Sequence, residues 1–111
     1  MLILHRNDVP VPPIVDDITT ILADMPNQTA SDHRKRATLA AACVSIAELI
    51  QAGALADAGE AVAVFRIETA NLRNDDDWRS IQGRFESLLY KAENLEEQES
   101  IIRAAAVRLQ D

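Results

Sequence analysis

The stretch HRKRATLAAACVSIAELIQA, residues 33–52, is the longest part of the chain with apolar residues at helical spacing. Leu39, Cys43 and Ile46 follow one another at intervals of four and three, and a second apolar row runs beside them. A helix that is apolar around this much of its circumference is usually buried on several sides. We therefore predict that residues 33–52 form the central helix, on which the other helices pack.

Length and composition are typical of one globular domain. The chain has 111 residues, of which 48% are hydrophobic and 26% charged. Aromatic residues make up only 4%, whereas 18 residues are alanine. Because alanine favours helix and buries little area, we expect closely spaced helices around a thin core. Such a core often gains stability by oligomerisation, and we expect a homodimer.

Charge and cysteine content limit the classes of function. The formal net charge of −7 argues against broad electrostatic attachment to nucleic acid or to an anionic membrane surface. Cys43 is the single cysteine, so no intrachain disulfide can form, and a reduced thiol fits a cytoplasmic protein. Since no segment approaches the ~20 apolar residues of a membrane span, we expect no membrane attachment.

Helix start and stop signals divide the rest of the chain. Thr29 with Asp32, Asn74 with Asp77, and Asn94 with Glu97 each place an acidic residue three positions after a capping residue. Glycine at position 53 is a natural residue to follow the central helix. Ser31 competes with Thr29 for the cap of the central helix, residues 33–52. The other predicted ranges are 13–25, 55–72, 74–92 with Asn74 as cap, and 94–109 with Asn94 as cap.

These segments predict an all-α, up-and-down antiparallel bundle of four to five helices. Short connections make successive helices antiparallel neighbours, and no convincing strand or repeat interrupts them. Residues 14–111 form the single helical-bundle domain, and residues 1–13 are an extended, proline-rich N-terminal arm. In this arrangement the acidic cluster Asp75–Asp77 lies at the same end of the bundle as the basic cluster His33–Arg36.

The basic cluster is the main local conflict in the sequence. Cations in the first turn of a helix are disfavoured by about 0.3 to 1 kcal/mol each. Pairing with the acidic cluster would relieve this cost. The alternative is that Arg34, Lys35 and Arg36 contact an anion or nucleic acid, or form the charged rim of an interface.

His33 permits one comparison with a known family. Histidine-phosphotransfer domains are small, often acidic four-helix bundles, whose surface histidine is followed by lysine at the third and glycine at the fourth position. The chain resembles them in charge and expected architecture, but Arg36 and Ala37 occupy those two positions. The resemblance implies a phosphotransfer-like module in which His33 accepts the phosphoryl group, with Lys35 or Arg36 nearby.

The sequence offers little for catalysis, and we expect no enzyme activity, no cofactor and no metal site. Two histidines, one buried cysteine and three scattered glycines do not assemble a nucleophile with its base, or a phosphate loop. Asp75–Asp77 lacks the alternate spacing, the glycine and the final glutamate of a calcium-binding loop.

Apolar residues that lie off the predicted core faces indicate a binding surface. Val64 and Ile67 face away from the apolar stripe of their helix, and a large aromatic such as Trp78 anchors either a core or an interface. We therefore predict a non-enzymatic protein–protein interaction module: a small adaptor, regulator or chaperone-like accessory protein. Its predicted contact surface is Val64, Ile67 and the neighbourhood of Trp78.

Overall fold

A computed structural model describes residues 13–110 of the chain, with side chains from Asp17 onward. These residues form five helices packed together and no strand, which confirms the predicted all-α bundle. The predicted arm, residues 1–13, lies outside the described residues except for Pro13. The elements are α1 Pro13–Ala23, α2 Ala30–Gln51, α3 Ala58–Glu68, a 3₁₀ helix Ala70–Asn74, α4 Asp76–Lys91 and α5 Leu95–Leu109.

Both ends of α2 follow from local sequence signals. Thr29 Oγ1 accepts a hydrogen bond from the backbone N–H of Asp32 at 3.0 Å, and the Asp32 carboxylate accepts one from the N–H of Thr29 at 3.1 Å. At the other end Gly53 has a φ of 70°, and the N–H of Ala54 donates to the carbonyl of Leu49. This is the Schellman arrangement, in which a residue with positive φ ends the helix.

The third helix is shorter than predicted, because a tertiary hydrogen bond interrupts it. It ends at Glu68 instead of Leu72, and a 3₁₀ helix follows. The side-chain amide of Gln82 donates to both the carbonyl oxygen and Oγ1 of Thr69, at 3.3 and 2.7 Å. The Thr69 carbonyl also accepts from the N–H of Leu72 at 3.0 Å, so the chain continues as a 3₁₀ turn and not as α-helix, and Leu72 remains fully buried.

The N-cap of α4 is Asp75, whereas the spacing of Asn74 and Asp77 predicts Asn74. Asp75 has extended backbone angles, and its Oδ1 accepts a hydrogen bond from the N–H of Asp77 at 3.0 Å. Asn74 instead ends the 3₁₀ helix. Both residue types cap helices well, so the shift by one position depends on where the 3₁₀ helix ends.

The helices alternate in direction, and α2 lies between α3 and α5. Contacts between Phe65 and Phe85, and between Thr69 and Gln82, show that α3 and α4 are antiparallel. The first helix packs on α4 and α5. The largest fully buried side chains are spread over all five helices and the 3₁₀ helix, and they are Ile18, Leu39, Ile46, Phe65, Leu72, Trp78, Gln82, Phe85, Leu89, Gln98, Ile101 and Ile102.

Candidate functional site

The predicted contact residues occupy three different environments. The side chain of Ile67 is 73% exposed, which makes it the most exposed large hydrophobic residue of the described chain. Val64 is half-buried and packs against the core from the same helix. Trp78 is 0% exposed, so the structure corrects its assignment to a contact surface: its ring belongs to the core. The surface therefore centres on Ile67.

Helical spacing on α3 determines what surrounds Ile67. Ala63 lies four residues earlier on the same face, and Ala70 follows three residues later at the start of the 3₁₀ helix; both are exposed. Arg66 and Glu68 flank this face, and the Glu68 carboxylate accepts a hydrogen bond from Ser45 of α2 at 2.9 Å. The result is a small apolar patch with charged groups at its edge, which is the usual composition of an interaction surface.

A buried carboxylate holds this end of α3 in place. Glu86 of α4 is buried; it forms an ion pair with Arg66 Nε at 3.2 Å and accepts a hydrogen bond from Arg73 Nη2 at 3.3 Å. Its two oxygens thus join α3, the 3₁₀ helix and α4. Because Arg66 precedes Ile67 directly, this ion-pair network fixes the helix turn on which the exposed isoleucine lies.

The basic and acidic clusters lie at one end of the bundle, as predicted, but only one pair of side chains joins them among the described residues. Lys35 Nζ lies 3.1 Å from Asp75 Oδ2. This hydrogen bond from Lys35, with the backbone N–H groups of Trp78 and Asp77, holds the pKa of Asp75 below its ordinary value. Arg34 and Arg36 have no ion pair within the part of the chain that the structure describes.

The two arginines are not joined to the Ile67 patch. Arg34 and Arg36 lie in the second turn of α2, whereas the last turn of α3, which carries Ile67, bonds through Glu68 to Ser45, further along α2. The structure therefore presents them as a separate feature at the start of α2. His33, beside them, is exposed in the first turn of the same helix.

Residues with chemical reactivity are dispersed over the described chain. Cys43 is fully buried, and desolvation raises the pKa of its thiol to about 12, so it is not a nucleophile at neutral pH. Within residues 13–110 no group of three or more histidine, cysteine, aspartate and glutamate side chains is arranged to hold a metal ion. None of the helices between residues 13 and 110 combines the length and apolar character needed to cross a membrane.

Two exposed hydrophobic residues were not identified from the sequence. Tyr90 of α4 is 65% exposed and Val107 of α5 is 63% exposed. Each lies off the buried stripe of its helix, which is the same signal that identified Ile67. Applied to all helices, that criterion would have found them.

Comparison of the chain with protein-family models, with curated proteins and with solved structures gave no significant match.

Proposed function

We propose that this protein is a non-enzymatic protein–protein interaction module that acts as a small cytoplasmic adaptor, regulator or chaperone-like accessory factor. The observation that supports the proposal is the exposure of Ile67 on a helix whose other large apolar residues are buried or half-buried. A large aliphatic side chain held on a rigid helix suits the pocket of a partner. Neither a cofactor nor a metal takes part in the proposed function.

The proposed mechanism is burial of the α3 face by a partner protein. Removing apolar area from water contributes roughly 25 cal/mol per Å², so the Ile67 side chain can serve as an anchor. The ion pair between Arg66 and Glu86 fixes the position of α3 before binding, which lowers the entropic cost of binding. Charged groups at the edge of the face set the orientation and the association rate.

The test is capture of a partner through the face of α3 that carries Ile67. A photo-crosslinking amino acid at a position on this face, such as Ala63, joins the chain to its partner in a lysate, and mass spectrometry identifies it. Ile67→Asp abolishes the crosslink, whereas Tyr90→Asp, an equally exposed hydrophobic position on α4, leaves it unchanged. A crosslink that survives Ile67→Asp, or one that Tyr90→Asp removes equally, would refute the proposed surface.

Nucleic-acid binding is the second candidate, and the observation in its favour is that Arg34 and Arg36 have no ion pair among the described residues. They lie in the second turn of α2, so their side-chain charges alone would attract the phosphates of a nucleic acid. The same capture experiment, repeated after nuclease treatment, separates the two. If nuclease removes the captured partner, and the double variant Arg34→Ala/Arg36→Ala also fails to capture it, the protein binds nucleic acid. That result overturns the first proposal.

A further inference from the structure

A groove between α2 and α5 forms a second surface, away from the Ile67 patch. Its volume is about 340 Å³, and small side chains, Ala47 of α2 and Ala106 of α5, lie in its floor. Val44 lines the α2 side of the groove, and Val107 lines the α5 side. The side chain of Val107 is 63% exposed, so the groove has an apolar projection beside an apolar depression.

Beside the groove, α2 has a face that no residue in the described part of the chain covers. This helix packs on α3 and α5, which bury Leu39, Cys43 and Ile46. On another side Ala37 and Ala41 are exposed in the part of the chain that the structure describes, and Val44 is half-buried. Part of the apolar surface of α2 is therefore not covered by the described residues. Another helix packed on this side would bury it.

Charges on the two sides of the groove are opposite in sign. Glu48 of α2 is exposed and has no ion pair with a described residue. Arg103 of α5 bonds to Glu99 and to Gln51, and its guanidinium is half exposed with a donor remaining. A surface with a projection and a depression, and with a carboxylate on one side and a guanidinium on the other, is complementary to itself.

We propose that a second copy of this chain covers the groove, related by a two-fold axis parallel to α2 and α5. Such an axis places α2 of each copy on α5 of the other. Rotation about this axis leaves every residue at the same height along the helices. Val107 of one copy therefore contacts Val44 and Ala47 of the other. Glu48 then lies opposite Arg103 of the second copy, and symmetry repeats this pair.

The resulting interface is an antiparallel four-helix arrangement of α2 and α5 from both copies. The small side chains of Ala47 and Ala106 allow the helices to approach closely, and the valines fill the space between them. This inference uses a different surface from the function proposed above. It therefore stands or fails independently of the partner that Ile67 contacts.

The first test is the mass of the full chain in solution, measured by sedimentation over a concentration series. We expect a dimer, and Val107→Asp raises the dimer dissociation constant by about tenfold or more, because two carboxylates enter an apolar contact. Tyr90→Asp is the matched control, since it adds the same charge at a similarly exposed position, 65% against 63%, outside both proposed surfaces, and leaves the dimer unchanged. Circular dichroism confirms that both variants are folded.

The second test examines the charge pair directly. Glu48→Lys and Arg103→Glu each place two like-charged pairs in the interface, so either variant alone is monomeric. Mixing the two variants restores opposite charges at both pairs, and a heterodimer forms. A purely structural effect of either substitution would not be relieved by mixing. A monomeric wild-type chain, a dimer that survives Val107→Asp, or a mixture that stays monomeric would each overturn the inference.

Discussion

The indole Nε1 of Trp78 donates a hydrogen bond to Oδ1 of Asp32, and the two atoms are 3.3 Å apart. The other oxygen of the same carboxylate accepts from the backbone N–H groups of Thr29 and Gln28. One carboxylate therefore closes the capping box of α2 and also fixes the orientation of the buried indole of α4. Trp78 is the only tryptophan in the chain, so its fluorescence reports on this contact.

Acidification is expected to change the fluorescence of Trp78. Hydrogen bonds from the backbone of Thr29, from Trp78 and from Gln28 hold the pKa of Asp32 below its ordinary value of 3.8. A lowered pKa in the folded state stabilises the fold above the unfolded pKa, and this contribution is lost as the pH falls through the folded pKa. We expect the emission of Trp78 to change as the pH falls below 3.8, where Asp32 becomes protonated. Asp32→Asn lacks the charge at every pH, so it should show the changed emission already at neutral pH. Identical titrations of wild type and variant would contradict the assignment.

Capping of α4 distinguishes two adjacent residues. Asp75→Ala removes the N-cap oxygen and the ion pair with Lys35, so it lowers the melting temperature. Asn74→Ala, one residue earlier, has little effect because Asn74 does not cap α4. Thermal unfolding followed by circular dichroism compares the two variants. A larger fall in melting temperature for Asn74→Ala than for Asp75→Ala would show that Asn74 caps α4.

The carboxylate of Glu86 is expected to contribute to stability through both arginines. Glu86→Gln removes the charge while keeping the shape of the side chain, which leaves Arg66 and Arg73 without their ion pair. We expect a loss of about 1 to 2 kcal/mol in the free energy of unfolding, because the guanidinium groups are half exposed and water replaces part of the interaction.

The control for Glu86 is a carboxylate on the surface. Asp76 pairs with Arg79 within the first turn of α4, where both groups are exposed. Asp76→Asn should change the free energy of unfolding by less than about 0.5 kcal/mol. Urea denaturation measures both variants, and equal losses from the two would contradict a special role for the buried carboxylate.

The Cys43 thiol is expected to be unreactive until the protein unfolds. Burial raises its pKa to about 12, so a negligible fraction is thiolate near neutral pH, and no solvent reaches the sulfur. A thiol reagent should therefore label the native chain slowly and the denatured chain at once. Gly83→Cys, at an exposed position with free space around it, provides a rapidly labelled control. Rapid labelling of native Cys43 would contradict the described core.

The helices could be predicted because their signals are local. The Thr29 capping box and Gly53 each act over a few residues, and apolar spacing extends over a single helix. The end of α3 could not be predicted in this way. It depends on the bond from Gln82 to Thr69, between residues that are far apart in sequence, while Leu72 continues the apolar pattern without interruption.

Polar residues within apolar stripes are a second sequence signal for the packing of the helices. Gln82 is four residues from Trp78 and three from Phe85, and Gln98 is four residues from Ile102, so both amides lie on apolar stripes. A polar side chain at such a position is expected to find buried partners. Gln98 does so by donating to the carbonyls of Ala58 and Leu89, which ties α5 to α3 and α4.

The candidate surface was predicted in part. Apolar spacing correctly indicated that Ile67 faces away from the core, whereas Val64 is half-buried and Trp78 is enclosed. Spacing alone cannot tell a core aromatic from an interface aromatic, because both lie on an apolar stripe. Whether a partner contacts Ile67 remains a prediction.

The main packing partner of α2 is α5, although α3, the 3₁₀ helix and α4 lie between them in the chain. During synthesis the apolar face of α2 therefore leaves the ribosome long before the helix that covers it. Folding must close a long loop before this contact forms, which slows it relative to contacts between neighbouring helices. Until α5 emerges, the nascent chain exposes the apolar face of α2 that α5 later covers, so chaperone capture and aggregation compete with folding at that stage.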